Sequence, residues 1–453
     1  MIKIENICNK ILKNSRDKDI NFIDWLHYVK NHEYLSKNYL PEQFEFLRII
    51  KNIIVYLLIN LKNLFINSTK FSITKRNLDF MIVSHKLNNS LSTKDNYFGD
   101  IKNFFKKKRI NFEILFFSHI KSQNEKNVVN HASFYEKIKI FAYIILKFVK
   151  ILLFSKSLFG SYRLILRLKI ASEFLSPKTF ENFVIFENLK KIDKSKKIKN
   201  LIIPFEGFSY ERVIFFSFYN LKLKTNLLGY QHASIIKSQN GVFRRLNKDY
   251  NPQIILTSGS ETKKILKRYY PSEKIFVFGS NKISHCKIKN KNRNNILVLP
   301  EGIDSECHYM MNFISNITFK VKNIKFIFRL HPSLNFDYLK KKYSIFNIRR
   351  KNIIFSKKNL NEDIKNSKYC LYRGTTSVIN CILNDLYPIF LNKKNYNDIN
   401  ILFDQKNIFK IDKPSDLIKI INEKKNIRIS KKTKKFAKEY FTKINYEILT
   451  KFI

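Results

Sequence analysis

From residue 200 onward the chain repeats one pattern, a short apolar run that stops in glycine or a polar residue and is followed by helical material. "LIIPF", "TNLLGY", "QIILTSG" and "KIFVFG" succeed one another in this way, with "SETKKILKRYY" among the helical segments. The polar, basic "SHCKIKNKNRNN" at 284–295 interrupts the series. It then restarts with "ILVLPEG", "KFIFRLHP", "NIIFS", "YCLYRG" and "YPIFL". Strands that alternate with helices build a parallel sheet, because each parallel pairing needs a crossover connection. The 453 residues exceed what one hydrophobic core organises. Together these features predict an α/β protein of two doubly wound, Rossmann-like sheets facing a cleft, with additional N-terminal helices. The expected domains are residues 1–285 and 290–453.

Ahead of the series, residues 1–70 read as helical, with Pro41 suited to the first turn of "PEQFEFLRIIKNIIVYLLINLKNLF". The runs "FMIVSH" and "FEILFFSH" follow, then a helical stretch from 133 to 170 and a linker-like basic segment, "KKIDKSKKIKN", at 190–200. The apolar stretches at 53–61 and 140–154 fall short of the roughly 20 residues that span a bilayer. On a helical wheel Lys139, Lys147 and Lys150 share one side of the second stretch. This suits either a core helix with snorkelling lysines or one lying on an anionic membrane surface. The amino terminus lacks a signal-peptide pattern, and five cysteines without a CxxC pair do not form a disulfide framework. The expected location is cytoplasmic, with peripheral contact at the inner face of the cytoplasmic membrane as an option.

Charge selects a class of partner but does not name one. Eighty-five Lys and Arg against 36 Asp and Glu give +49, which attracts nucleic acid, anionic lipid or phosphorylated substrates. The heavy use of Lys, Asn, Ile and Phe is also what a strongly AT-rich coding sequence produces. The lysines are spread along the chain, without a zinc module or RNA-recognition motif, so a non-catalytic nucleic-acid-binding protein is the disfavoured alternative.

Candidate chemistry collects where strands end. Arg329, His331 and Pro332 close the run "FIFRLHP", where an imidazole and a guanidinium on a partly fixed backbone suit an anion. Some forty residues later Gly374, Thr375, Thr376 and Ser377 open a helix after "YCLYR", offering free amides and hydroxyls. A structural histidine and an ordinary helix cap are the plain readings of each alone. In the first series Glu206 ends a strand, Gly207 turns the chain and Glu211 lies early in the next helix; Gln231 and His232 end "LLGYQH". Glu301 in "LPEG" ends the first strand of the second series. No HExxH, DxD triplet, Walker loop or GxGxxG is present.

The second half, with "RLHP" and "GTTSVINCILNDLYPIFL", resembles the donor domain of GT-B glycosyltransferases that build bacterial surface and capsular polysaccharides. Among these it is most similar to the sialyltransferase and Kdo-transferase type, which carries a His-Pro motif and a Ser/Thr motif around CMP. "IPFEGFSYERVIF" and "LLGYQHASI" resemble segments of surface carbohydrate biosynthesis proteins, although Phe205 stands where many sialyltransferases have a second acid. The resemblance implies an inverting, metal-independent transferase with no cofactor, moving an acidic sugar from a CMP donor to a glycan or lipid-linked glycan acceptor. A UDP-sugar or CDP-polyol donor is the alternative. It further implies that residues 1–285 form the acceptor side and 290–453 bind the nucleotide sugar. Glu206 and His331 would be catalytic, and Arg329, His331, Pro332, Gly374, Thr375, Thr376 and Ser377 would bind nucleotide. Gly207, Glu211, Gln231, His232 and Glu301 would orient or meet the acceptor, Glu301 also being a weaker alternative base.

Overall fold

A computed structural model describes residues 42–66, 71–86, 94–118, 128–154, 171–283 and 293–453, together with Leu168. Positions 72, 74, 173, 193–194, 222–223, 238–239, 244–245, 247, 333, 394–397, 407 and 424–427 within these ranges are excepted. The helical expectation for residues 1–41, much of 155–170 and the basic segment at 284–292 lie outside the described residues.

Two six-stranded sheets carry the fold, and every pairing in both is parallel. The first runs β2-β1-β3-β4-β5-β6, from β1 (Asn77–Lys86), β2 (Phe112–Ser118), β3 (Lys197–Pro204), β4 (Asn226–Gln231), β5 (Ile254–Thr257) and β6 (Lys274–Val277). The second runs β12-β11-β10-β7-β8-β9, from β7 (Asn295–Leu299), β8 (Phe326–Phe328), β9 (Ile353–Phe355), β10 (Ser367–Tyr372), β11 (Tyr387–Leu391) and β12 (Phe409–Ile411). This is the pair of Rossmann-like units expected from the alternation of runs. Strand order reverses between β1 and β3 in one sheet and between β7 and β10 in the other. Crevices at such reversals are where open α/β sheets hold ligands.

One expectation is corrected. The basic segment at 190–200 is not a linker throughout, since Lys197 to Asn200 begin β3 in the middle of the first sheet. Lys197 and Lys199 are exposed while Ile198 and Asn200 are buried, so the period-2 alternation of a strand is hidden under a run of lysines.

Helices cover both faces of the first sheet. On one side α3 (Pro177–Leu189) and α4 (Ser209–Asn220) pack together, and α1 (Glu42–Leu64) and α2 (Phe134–Phe154) form a further layer outside α3. In the second unit α5 (Asp304–Ser315) follows β7, and α6 (Ser377–Leu383) follows β10.

The end of the chain departs from chain order. Helix α7 (Lys431–Tyr440) contributes Phe436, Ala437 and Tyr440 to the second core, and the Tyr440 hydroxyl accepts from the Ile235 amide at 2.8 Å. The backbone then crosses to the first sheet. Ser280 donates to the Thr442 carbonyl at 2.7 Å, Thr442 donates to Ser258 at 3.0 Å, and Asn445 donates to Phe278 at 2.7 Å. Leu449 sits in the core beneath β1 and β3, and buried Asn200 donates to both the Asp79 and Phe452 carbonyls at 2.9 Å.

Candidate active site

The carboxyl end of β3 is shaped by Glu211. It lies in the first turn of α4, and its buried carboxylate reaches back to accept from the amides of Glu206 at 3.0 Å, Gly207 at 2.7 Å and Phe208 at 3.0 Å. Burial and the adjoining Glu206 push this acid well above its ordinary value, while the amide donors work the other way. Gly207 takes φ +86°, and a Cβ there would lie 2.1 Å from the Gly241 carbonyl carbon, so only glycine fits. Buried Arg212 ties down the same approach, donating to the Gly241 carbonyl at 3.0 Å and stacking on Phe205. The side chain of Glu206 is thereby presented to His232 at the end of the neighbouring strand β4.

Glu206 meets His232, which follows β4, with Nε2 3.0 Å from Oε1. An ionised carboxylate only accepts, so the Nε2–H tautomer of His232 donates. Burial pushes His232 below its ordinary value, and Glu206 opposes that by favouring the charged ring. The Tyr97 ring stands edge-on to His232 with centroids 4.4 Å apart. On the other flank His85, at the end of β1, has Nε2 2.8 Å from the Tyr210 hydroxyl, which in turn donates to Glu211 at 3.3 Å. Gln231 is buried and turned back onto the Ala233 carbonyl.

Lys282, just after β6, connects the two halves. Its ammonium donates to the His232 carbonyl at 3.1 Å, and its own carbonyl accepts from Asn380 of α6 at 3.1 Å. Burial pushes the amine below its ordinary value, and the carboxylates of Glu206 and Glu301 counter this from opposite sheets. Glu301 follows β7, and its Oε2 is buried without a hydrogen-bond partner. Burial, reinforced by Glu306 and Glu206, pushes its carboxyl up to about 8. A Cβ on Gly374, at φ +65° after β10, would meet that Oε2 at 2.4 Å, so the two strand ends of the second reversal touch.

The remaining expected residues divide. His331 and Pro332 are exposed along the chain surface, and partial desolvation of the imidazole together with the Lys282 charge pushes His331 below its ordinary value. Thr375 accepts from the Ser377 amide at 3.3 Å, and Thr376 precedes α6 without a side-chain cap bond. Arg329 pairs with buried Asp363, donating from Nη1 at 3.0 Å. A second buried pair, Arg373 with Glu306, closes the end of β10, and Arg373 also donates to the Leu391 carbonyl at 2.6 Å.

Lys282 therefore bonds to His232, the partner of Glu206, and its charge interacts with those of Glu206, Glu301 and His331. The reading of the sequence did not single out Lys282, Tyr97, Tyr210 or His85. Lys282 and His85 each follow an apolar run, which is the one signal the sequence held for them.

The elevated Glu301 acid has a measurable consequence. A carboxyl raised in the folded state contributes stability that is present at low pH and lost as pH rises toward its folded value. Thermal unfolding followed from pH 5 to 8 is expected to show a declining midpoint that levels off above about 8, and Glu301→Gln should flatten that decline. An unchanged slope in the variant would remove Glu301 from the explanation.

No protein-family model matches the chain, and no curated protein matches it. Among solved structures it is similar to the crystal structure of TarM, at 13% identity and a TM-score of 0.37, over 60% of this chain and 57% of that one. It thus spans less than two thirds of the TarM chain. It is also similar to the UDP-GlcNAc 2-epimerase of Methanocaldococcus jannaschii, at 14% identity and a TM-score of 0.44, over 80% of this chain and 96% of that one. The UDP-GlcNAc 2-epimerase of Neisseria meningitidis matches at 11% identity and a TM-score of 0.45, over 76% of this chain and 90% of that one.

Proposed function

We propose that the cleft transfers a glycosyl group from a nucleotide-activated sugar to a hydroxyl of a glycan or lipid-linked glycan acceptor, with inversion and without a metal. The observation that carries this reading is the Glu206–His232 pair at 3.0 Å, with Lys282 bonded to the same histidine's carbonyl on the first sheet and Glu301 and His331 following strands of the second. Glu206 takes the acceptor hydroxyl proton as the acceptor oxygen bonds to the anomeric carbon. The bond from that carbon to the phosphate oxygen breaks, and its electron pair leaves on the nucleotide. A general base and a preorganised cation are the two parts such a displacement needs. His232 holds the Glu206 carboxylate by a hydrogen bond, and Lys282 and His331 face the charge that develops on the phosphate.

The donor side is assigned to His331, Pro332, Gly374, Thr375, Thr376 and Ser377. Arg329, held by Asp363, orders the loop after β8. The resemblance of the His-Pro and Ser/Thr motifs to CMP-dependent transferases supports a CMP-linked acidic sugar, and through it a role in surface polysaccharide synthesis. Saturation-transfer experiments with CMP, CDP and UDP test both the site and the nucleotide. CMP is expected to give the strongest transfer, and preferential binding of UDP would replace the donor assignment. His331→Ala should weaken nucleotide binding about 10- to 150-fold, the loss of one or two hydrogen bonds to phosphate, with the fold intact by circular dichroism. Affinity within twofold of the parent protein would end that role.

A further inference from the structure

Helices α1 and α2 each bury one apolar stripe and expose another. Inward, Ile49 and Leu64 of α1 and Ile140 and Ile144 of α2 are buried. Outward, Leu47, Ile50, Ile54, Leu58 and Leu61 of α1 are exposed and continue into Phe65. Tyr135, Ile138, Ala142, Leu146, Val149 and Leu153 repeat the same spacing on α2 and are likewise exposed. Successive steps of three and four residues keep each set on one face of its helix. The Phe65 and Phe134 rings, 5.8 Å apart, join the ends of the two stripes. Fifteen of the twenty-two large apolar side chains exposed among the described residues belong to α1, Phe65 and α2, so this is one patch rather than scattered surface residues.

The charges that flank the two stripes along most of their length are lysines. Exposed Lys51 and Lys62 flank the α1 stripe, and exposed Lys139 and Lys150 flank that of α2, each about 60–80° from the stripe centre at about 100° per residue. From Phe46 to Leu64 and from Lys137 to Phe154 there is no Asp or Glu. Among the described residues no helix is long and apolar enough to cross a membrane.

We propose that the outer face of α1 and α2 is a docking surface for an anionic lipid bilayer, with the paired stripes seated at the acyl boundary and the flanking lysines among the headgroups. An apolar stripe bordered by lysines on helices too polar overall to span is the form of an interfacial helix. Acidic protein partners would match the lysines but not two continuous apolar stripes. The inference is independent of the chemistry proposed for the cleft.

Co-sedimentation of the full chain with vesicles of phosphatidylcholine containing phosphatidylglycerol tests it, with pure phosphatidylcholine as the neutral arm. The protein should pellet with the anionic vesicles and bind the neutral ones at least about tenfold more weakly. Leu58→Glu with Leu146→Glu, at positions 61% and 70% exposed, should lower anionic binding at least about tenfold with unchanged thermal unfolding. The pair Leu47→Glu with Leu153→Glu provides an independent second variant should the first misfold. Failure of the parent protein to bind anionic vesicles overturns the proposal, as does equal binding by folded variants. A dimer in analytical ultracentrifugation that the same substitutions dissolve would also overturn it, since the face would then belong to a second copy of the chain.

Discussion

Glu206→Gln is expected to lower glycosyl transfer by about 10² to 10⁴ while leaving nucleotide affinity unchanged, the range for loss of a general base. The substitution is isosteric, and the glutamine carbonyl oxygen can still accept from His232 Nε2, so the 3.0 Å contact survives and only proton acceptance is lost. The turn beneath it is unaffected, because Glu211 rather than Glu206 holds the amides of residues 206–208. Initial rates and nucleotide binding on the purified variant separate the two effects. Glu301→Gln serves as the control from the opposite sheet and should do less. Should Glu301→Gln abolish transfer while Glu206→Gln spares it, the base belongs to the second half of the chain and the roles of the two halves are exchanged.

The second large effect is one of stability. Gly207→Ala forces a Cβ to within 2.1 Å of the Gly241 carbonyl carbon at a φ of +86°. Left-handed strain contributes about 1–2 kcal/mol and overpacking about 1–3 kcal/mol, so denaturant unfolding should show a loss of roughly 2–5 kcal/mol. The Gly241 segment cannot withdraw cheaply, since Arg212 anchors it through a buried hydrogen bond at 3.0 Å. Gly374→Ala offers a calibrated comparison. There the first obstacle is the Glu301 carboxylate, the far end of a flexible side chain, so the loss should be smaller. Equal stability of Gly207→Ala and the parent protein would mean that the 206–208 turn is not fixed by this contact, and the aim of Glu206 would need another cause.

The sheets were legible where a strand carries its own evidence, an apolar run closed by a polar or glycine residue; edge strand β12, only Phe409–Ile411 with a lysine at its centre, offers no such run and was not read. Glu206, His232, Glu301 and His331 could be found for the same reason, since each ends such a run. The start of β3 was not legible, because Lys197 and Lys199 on its outer face made half a strand look like a solvated connector. Tyr97 and Tyr210 were hidden differently. In a chain with 23 tyrosines and 42 phenylalanines an aromatic carries little information, and what singles these two out is contact with His232 and His85 across more than a hundred residues. Arg329 shows the converse. Its position beside His331 suggested an anion ligand, and the sequence held no sign that Asp363, 34 residues onward, would pair with its Nη1. In α1 and α2 near-continuous hydrophobicity masked the fact that only one stripe of each helix faces inward.

The return of the chain after Tyr440 gives the molecule a mechanical property. Polypeptide passes between the units once at Lys282, which meets both His232 and Asn380, and again between Tyr440 and Thr442, and the second passage is fastened on both sides by Tyr440 and by the amides of Thr442 and Asn445. Two bodies joined at two points cannot swivel freely; they turn about the line through both joints. Any opening is expected to follow one principal rotation about that line, and Lys282, beside the first joint, should be displaced least by it.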